Sequence, residues 1–135
     1  MGARLDLEQD EPNPDPPVKK SLEEFVNSEI DVPDFKPELW MMATDSELHY
    51  AGLSVLWPDA TVTDRAYTGW TGVDRPFRKQ GVATALKLHA FEQGKAHGIT
   101  HTRTDNHENN HMYQINLNLG FKPIPAVIEY VKKLL

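Results

Sequence analysis

Cysteine is absent from this 135-residue chain. Without a thiol, disulfides, thiol nucleophiles and cysteine-ligated zinc centres are excluded. Long apolar runs are lacking as well. No stretch approaches the roughly 20 residues that cross a bilayer, and no secretory apolar region follows Met1. A cytoplasmic setting with no membrane partner is therefore the expectation. Positive charge is scarce: Lys and Arg number 14 against 20 Asp and Glu, a net charge of −6. Broad nucleic-acid binding needs clustered cations, so nucleic acid is not an expected partner. A cationic small substrate is compatible with this balance. Neither G-x-x-x-x-G-K-[ST] nor G-x-G-x-x-G occurs, which removes the P-loop and the dinucleotide fingerprint.

What is present suits one domain with a core of its own. Hydrophobic residues make up 39% and charged residues 25%, the balance of a globular protein. Residues 6–17, "DLEQDEPNPDPP", hold four prolines and five acids. Little there can be buried, so residues 1–20 read as an extended or poorly ordered acidic arm and residues 21–135 as the domain.

"KSLEEFVNSEI" reads as a helix. Ser21 caps its first turn, Glu24 completes a capping box, and Leu22, Phe25, Val26 and Ile30 give one apolar face. Pro33 and Pro37 mark the loop beyond it. "LWMMAT" (39–44) reads as a strand buried on both faces, and "LHYAGLSVLW" (48–57) as its antiparallel partner across an Asp45–Ser46 turn. "AYTGWTGV" (66–73) is a third strand. "VATALKLHAFEQGKAH" follows as a helix of about four turns, with Gly98 at a left-handed C-terminal position. A short strand (99–104), a helix over "NNHMYQINLNL" and a last strand over "PAVIEYVKKLL" complete the order. Helix, three strands, helix, strand, helix and strand make an α+β fold with a mixed sheet.

The turn between strand 66–73 and helix 82–97 is where chemistry concentrates. Free N–H groups at a helix start sit at the positive end of its dipole, where a phosphate is favoured. Gly81 and the small Ala83 let a bulky ligand approach the backbone, and Arg78 and Lys79 add charge. The plain alternative is an ordinary turn with solvated basic residues.

A second stretch bears on that choice. "NNHMYQINLNLGF" (109–121) resembles the C-terminal motif of the GNAT superfamily of N-acyltransferases, N-x-x-M-x-x-x-N-x-x-L-G-F, through Asn109, Met112, Asn116, Leu119, Gly120 and Phe121. The basic turn then resembles that superfamily's acyl-CoA loop, [RQ]-x-x-G-x-[GA], through Arg78, Gly81 and Ala83. The two motifs lie in the superfamily's order, with a helix and a strand between them.

The resemblance implies a layered α/β/α fold whose mixed, mainly antiparallel sheet is flanked by helices. It implies acetyl-CoA as co-substrate and an amine acceptor, with no metal. The strand ending at Val73 would splay from strand 99–104, and the pantetheine arm would pair with the backbone of Thr71, Gly72 and Val73. The pyrophosphate would rest on the N–H groups of Arg78, Lys79, Gln80, Gly81, Val82 and Ala83, and Asn109 would join the coenzyme contacts. The amine would attack the thioester directly in a ternary complex, with a backbone N–H near Val73 supporting the oxyanion.

Many relatives carry a Tyr five residues before the LGF phenylalanine, where it can protonate the leaving sulfur. This chain has Asn116 there. An amide donates a hydrogen bond but is no acid, so the thiolate would leave solvated or hydrogen-bonded. Tyr113 lies nearly opposite on a helix and does not inherit the role. Asp105 and His107 are the candidate bases, with Glu108 and His111 close by. The plain reading of that loop is a polar connection with Asn109 capping the helix. His101, His107 and His111 fit no standard zinc spacing. Trp40, Trp57 and Trp70 read first as core, although Trp70 lies on the cleft strand.

The superfamily layout places a strand and further helix before the strand at 39, and "RLDL" (4–7) is too short to supply them. The expectation is an N-terminally shortened domain with residues 39–44 as an open edge, available for a homodimer or for an N-terminal portion. An acyl-CoA-binding pseudoenzyme or interaction module is the alternative to an acetyltransferase.

Overall fold

The structure is a computed structural model that describes residues 20–134. The acidic arm up to Lys19, including the 4–7 stretch, lies outside the described residues. The chain divides into two compact units after Asp105.

In the first unit, α1 (Leu22–Phe25) starts with the expected capping box. Ser21 Oγ accepts from Glu24 N at 3.2 Å, and the Glu24 carboxylate accepts from Ser21 N at 2.7 Å. The hydrogen bond from Ser21 N, and after it the Ser21 hydroxyl, hold the Glu24 carboxyl below its ordinary range. The helix then widens into a π turn over Val26–Ile30, closed by Asp31 N donating to Val26 O at 2.8 Å.

Four strands form one sheet: β1 (Trp40–Thr44), β2 (Tyr50–Pro58), β3 (Arg65–Val73) and β4 (His101–Arg103), in that spatial order. The first three are antiparallel neighbours and β4 runs parallel to β3. The α+β class with a mixed, mainly antiparallel sheet is thus established. The crossover from β3 to β4 is α2 (Val82–Ala96), as parallel strands require. Gly98 follows it at φ 84°, the left-handed position its sequence anticipates.

Helix α2 covers one face of the sheet. Leu39, Leu56, Ala66, Ala90 and Ile99 form the buried cluster beneath it, with Met41 and Phe91 packed against them. Burying a side chain such as Leu56 contributes about 1.5–3 kcal/mol. β2 runs buried from Ala51 to Leu56. β1 departs from the expectation of burial on both faces: Met42 and Thr44 are exposed and the other three residues half-buried. It is an edge strand among the described residues, so neighbours cover it incompletely however apolar its composition.

The second unit holds α3 (His111–Asn118), which ends with Gly120 at φ 91°. It begins two residues later than the motif suggested. Asn110, not Asn109, is its cap, accepting from Met112 N at 3.0 Å. The last expected strand is not formed: residues 121–134 have no regular structure. A strand is stable only within a ladder, and none is supplied to these residues here. Among the described residues, no helix is long and apolar enough to cross a membrane.

Candidate functional site

The site begins where β3 ends. Asp74 accepts from Arg75 N at 2.8 Å and opens a 3-10 turn over Arg75–Phe77. The chain then curls through Lys79, at φ 60°, and Gly81, at φ 79°. Two left-handed residues so close together curl the backbone just ahead of the next helix. For Lys79 that backbone costs about 1–2 kcal/mol. At Gly81 a side chain would meet no atom within 4 Å. Backbone conformation, rather than crowding, is what calls for glycine there.

Of the three α-helices described, α2 alone lacks a capping side chain. Its first intrahelical bond is donated by Ala85 N to Gly81 O at 3.0 Å. The N–H groups of Val82, Ala83 and Thr84 come before that bond and have no intrahelical acceptor. Arg78, Lys79, Gln80 and Gly81 are exposed, while Ala83 is buried. The turn is tied back to the strand: Arg78 Nε donates to Val73 O at 2.9 Å, and Gln80 Nε2 to Pro76 O at 3.3 Å.

One edge of β3 lacks a strand partner over the same stretch among the described residues. The β3–β4 ladder runs only from Arg65↔His101 to Tyr67↔Arg103. Past it, Thr68 and Thr102 join their hydroxyls at 2.6 Å, and Thr104 Oγ1 donates to Thr68 O at 3.1 Å. From Gly69 to Val73 the β4 side has no strand partner among the described residues. The β2 side is fully engaged, with Thr71 opposite Ser54, Gly72 opposite Leu53 and Val73 opposite Gly52. Gly69 and Trp70 together oppose Val55, a bulge that bends β3 at the parting point. Ser54 and Thr71 share a 2.8 Å hydroxyl contact. The Trp70 ring lies over Gly72, where an added Cβ would come within 2.2 Å of it.

Asp105 ends the first unit, and its Oδ2 accepts from Tyr67 Oη at 3.1 Å. Burial and then this hydrogen bond push the Tyr67 hydroxyl above its ordinary range, so it stays protonated at neutral pH. In the second unit, His107 Nδ1 accepts from Asn109 N at 3.2 Å. A backbone N–H can only donate, so a neutral His107 carries its proton on Nε2. Asn116 is 3% exposed. Its Nδ2 donates to Asn106 Oδ1, and its own Oδ1 is buried without a partner among the described residues. Asn106 carries no motif signal, and only its position ahead of a helix marked it as polar loop.

Lys87, one turn into α2, also went unnoticed in the sequence, where it falls between apolar helix positions. It is 1% exposed and has no ion pair among the described residues. Burial alone pulls its ammonium down to about 8. No group of three or more His, Asp or Glu side chains among the described residues is arranged to hold a metal.

Comparison with known proteins bears on this arrangement. Residues 5–121 match the model of the Acetyltransferase (GNAT) family. The fold is similar to a Trypanosoma brucei acetyltransferase at 17% identity and a TM-score of 0.62, covering 97% of this chain and 92% of that one. It is similar to the aminoglycoside N-acetyltransferase AAC(6')-Iy, solved in complex with CoA, at 21% identity and a TM-score of 0.56 over 69% of this chain and 74% of that one. An acetyl transferase assigned in Pyrococcus furiosus is similar at 19% identity and a TM-score of 0.59. That match covers 69% of this chain but 64% of the archaeal one, less than two thirds of its length. No curated protein matches. At such identities the structural likeness speaks for fold, and the family match extends over most of the sequence. This chain belongs to the GNAT family of acetyltransferases.

Proposed function

We propose that the chain transfers an acetyl group from acetyl-CoA to the amine of a small molecule or peptide, by direct attack in a ternary complex. The observation that carries this reading is the uncapped start of α2. Main-chain N–H groups of residues 79–83 bind the pyrophosphate, helped by the dipole and by Lys79; the Arg78 N–H is already engaged, donating to Arg75 O at 3.3 Å. The vacant edge at Thr71, Gly72 and Val73 pairs with the amides of the pantetheine arm. AAC(6')-Iy, a neighbour in fold, is a CoA-binding enzyme that acetylates an amine-bearing substrate class, which supports both halves of the proposal. Asn109 completes the coenzyme contacts.

In the reaction the amine nitrogen attacks the thioester carbonyl, the C–S bond breaks, and the thiolate leaves with a proton from solvent. A backbone N–H near Val73 stabilises the oxyanion. An alkylamine is mostly protonated at neutral pH and must lose a proton first. Asp105 is the base we favour, acting directly or through water. His107 is the less suited of the two, because its free lone pair at Nδ1 is occupied by Asn109 N–H. Asn116 steadies the sulfur through a hydrogen bond rather than by proton donation. The net charge of −6 suits a cationic acceptor.

Acetyl-CoA should raise the melting temperature of the wild type, and Gly81→Glu should abolish that shift by placing a carboxylate at the pyrophosphate. No shift at saturating acetyl-CoA would remove the proposal. Asn116 at the acid's place favours one rival, a coenzyme-binding domain without turnover. Free CoA released only when an amine is added separates the enzyme from that rival.

A further inference from the structure

We propose that the acceptor is a free α-amino acid with an aromatic side chain. Asp105 holds its ammonium, Arg103 its carboxylate, and Trp57 and Tyr67 its ring. This names the substrate class of the proposed acetyltransferase and rests on that reading. A coenzyme lying along the free edge of β3 runs from the start of α2 back past Val73 and Thr71. Its acyl end then arrives where the strands part, at Gly69. The α2 face is closed there: Thr68 opposes Leu56 of the cluster under α2, is 1% exposed, and joins its hydroxyl to that of Thr102. The acceptor has to come from the opposite face.

Four side chains of the first unit share that face. Trp57 of β2 is directly opposite Tyr67 of β3, which is in turn opposite Arg103 of β4, and opposed residues project to the same side. A Cβ added to Gly69 would come within 2.7 Å of Trp57 Cδ1, so the indole reaches the parting point itself. Trp57 is half-buried and Tyr67 is 42% exposed. Partly exposed rings at one place give an aromatic ligand a surface to pack on. Asp105 joins them by accepting from Tyr67 Oη at 3.1 Å. Burial and that carboxylate raise the Tyr67 hydroxyl, and the Arg103 charge opposes them, so the guanidinium is felt at the same spot.

The charges single out an amino acid among amines. Arg103 and Asp105 supply one of each sign, which narrows a cationic acceptor to one that carries an anion beside its amine. Arg103 is exposed, and no hydrogen bond or ion pair holds it among the described residues. Its planar fork suits a carboxylate. Thr104, between the two charged residues, is tied to β3 by its Oγ1 donating to Thr68 O at 3.1 Å, and its neighbours alternate to the other face. Residues two apart on an extended chain stand about 6.6 Å apart. An ammonium and a carboxylate on one carbon fill that span with a hydrogen bond at each end. Tyr67 occupies Oδ2 of Asp105, which leaves Oδ1 for the amine and its proton. Transfer yields the N-acetyl amino acid and CoA, the proton lost from nitrogen balancing the one gained by sulfur.

Isothermal titration of L-phenylalanine into the chain saturated with CoA should show binding. Phenethylamine keeps the ring and the amine but lacks the carboxylate, and should bind at least about tenfold more weakly. Glycine lacks the ring and should fall by a similar factor. Arg103→Gln should bring phenylalanine and phenethylamine to nearly equal affinity. Thiol released from acetyl-CoA, read against a chain without cysteine, should rank the same compounds in the same order by kcat/KM. Phenethylamine or glycine matching phenylalanine overturns the proposal and leaves the acetyltransferase reading standing, as does a preference that survives Arg103→Gln. CoA failing to bind removes the acetyltransferase reading instead. Phenylalanine titrated into the free chain then judges the amino-acid site by itself, and absence of binding there overturns it.

Discussion

Lys79 and Lys87 flank the start of α2 and handle the same charge in opposite ways. Lys79 is exposed, held in a left-handed backbone beside unclaimed N–H groups. Lys87 is enclosed, and no carboxylate among the described residues answers it. The first arrangement spends backbone strain to present positive potential to solvent. The second gains nothing from its charge and is destabilised by it at neutral pH. One helix start thus carries an exposed cation on a left-handed backbone and an enclosed one that the fold tolerates.

The largest expected effect removes the first region's capacity altogether. Gly81→Glu should lower acetyl-CoA affinity by at least about a hundredfold, by isothermal titration. The apo protein should lose only about 1 kcal/mol, because the side chain has room and pays for its φ alone. A large fall in apo stability would mean that the turn is crowded and the comparison misdrawn.

Next is Lys87→Met. Unfolded, the ammonium titrates near 10.5, and folded it titrates at about 8. Below pH 8 both states hold the proton and the buried charge costs a constant amount. Between about 8 and 10.5 the folded state releases it first, so stability climbs as pH rises. The gap corresponds to roughly 3 kcal/mol. Chemical denaturation should show Lys87→Met more stable than wild type by about that much at pH 7, with the advantage shrinking through the alkaline range. An equal advantage at every pH would point to packing instead of charge.

Lys79→Gly should act in both directions at once. Relief of the left-handed backbone should add about 1 kcal/mol of stability, while loss of the charge weakens coenzyme binding several-fold. Lys79→Ala keeps the strain and isolates the second effect. The smallest change is Ser21→Ala, which should cost about 1 kcal/mol or less through lost capping and leave coenzyme binding unaltered.

These contrasts also explain what could be read in advance. The capping box at Ser21, the glycine after α2 and the basic turn were legible because each depends on a few adjacent residues. β1 was misjudged because "LWMMAT" reveals what is able to be buried, whereas burial depends on what lies over it. The missing C-terminal strand follows the same logic, since pairing is a property of two segments and only one is written in the motif. Asn110 displaced Asn109 as cap because two neighbouring asparagines differ only in which backbone N–H each reaches. Lys87 was invisible for another reason: its spacing is that of the core face, but its residue type reads as surface. The pairing of Asn106 with Asn116 spans ten positions and follows no local rule.

The threonine hydroxyls at Thr68 and Thr102 have one more consequence. They act as a rivet where two parallel strands part, so the gap along Gly69–Val73 exists before anything enters it. An arriving chain of amides would meet donors and acceptors that need not first release a neighbouring strand. Of the acceptors in that stretch, Val73 O already receives Arg78 Nε at 2.9 Å, so the gap is preformed but not wholly unclaimed.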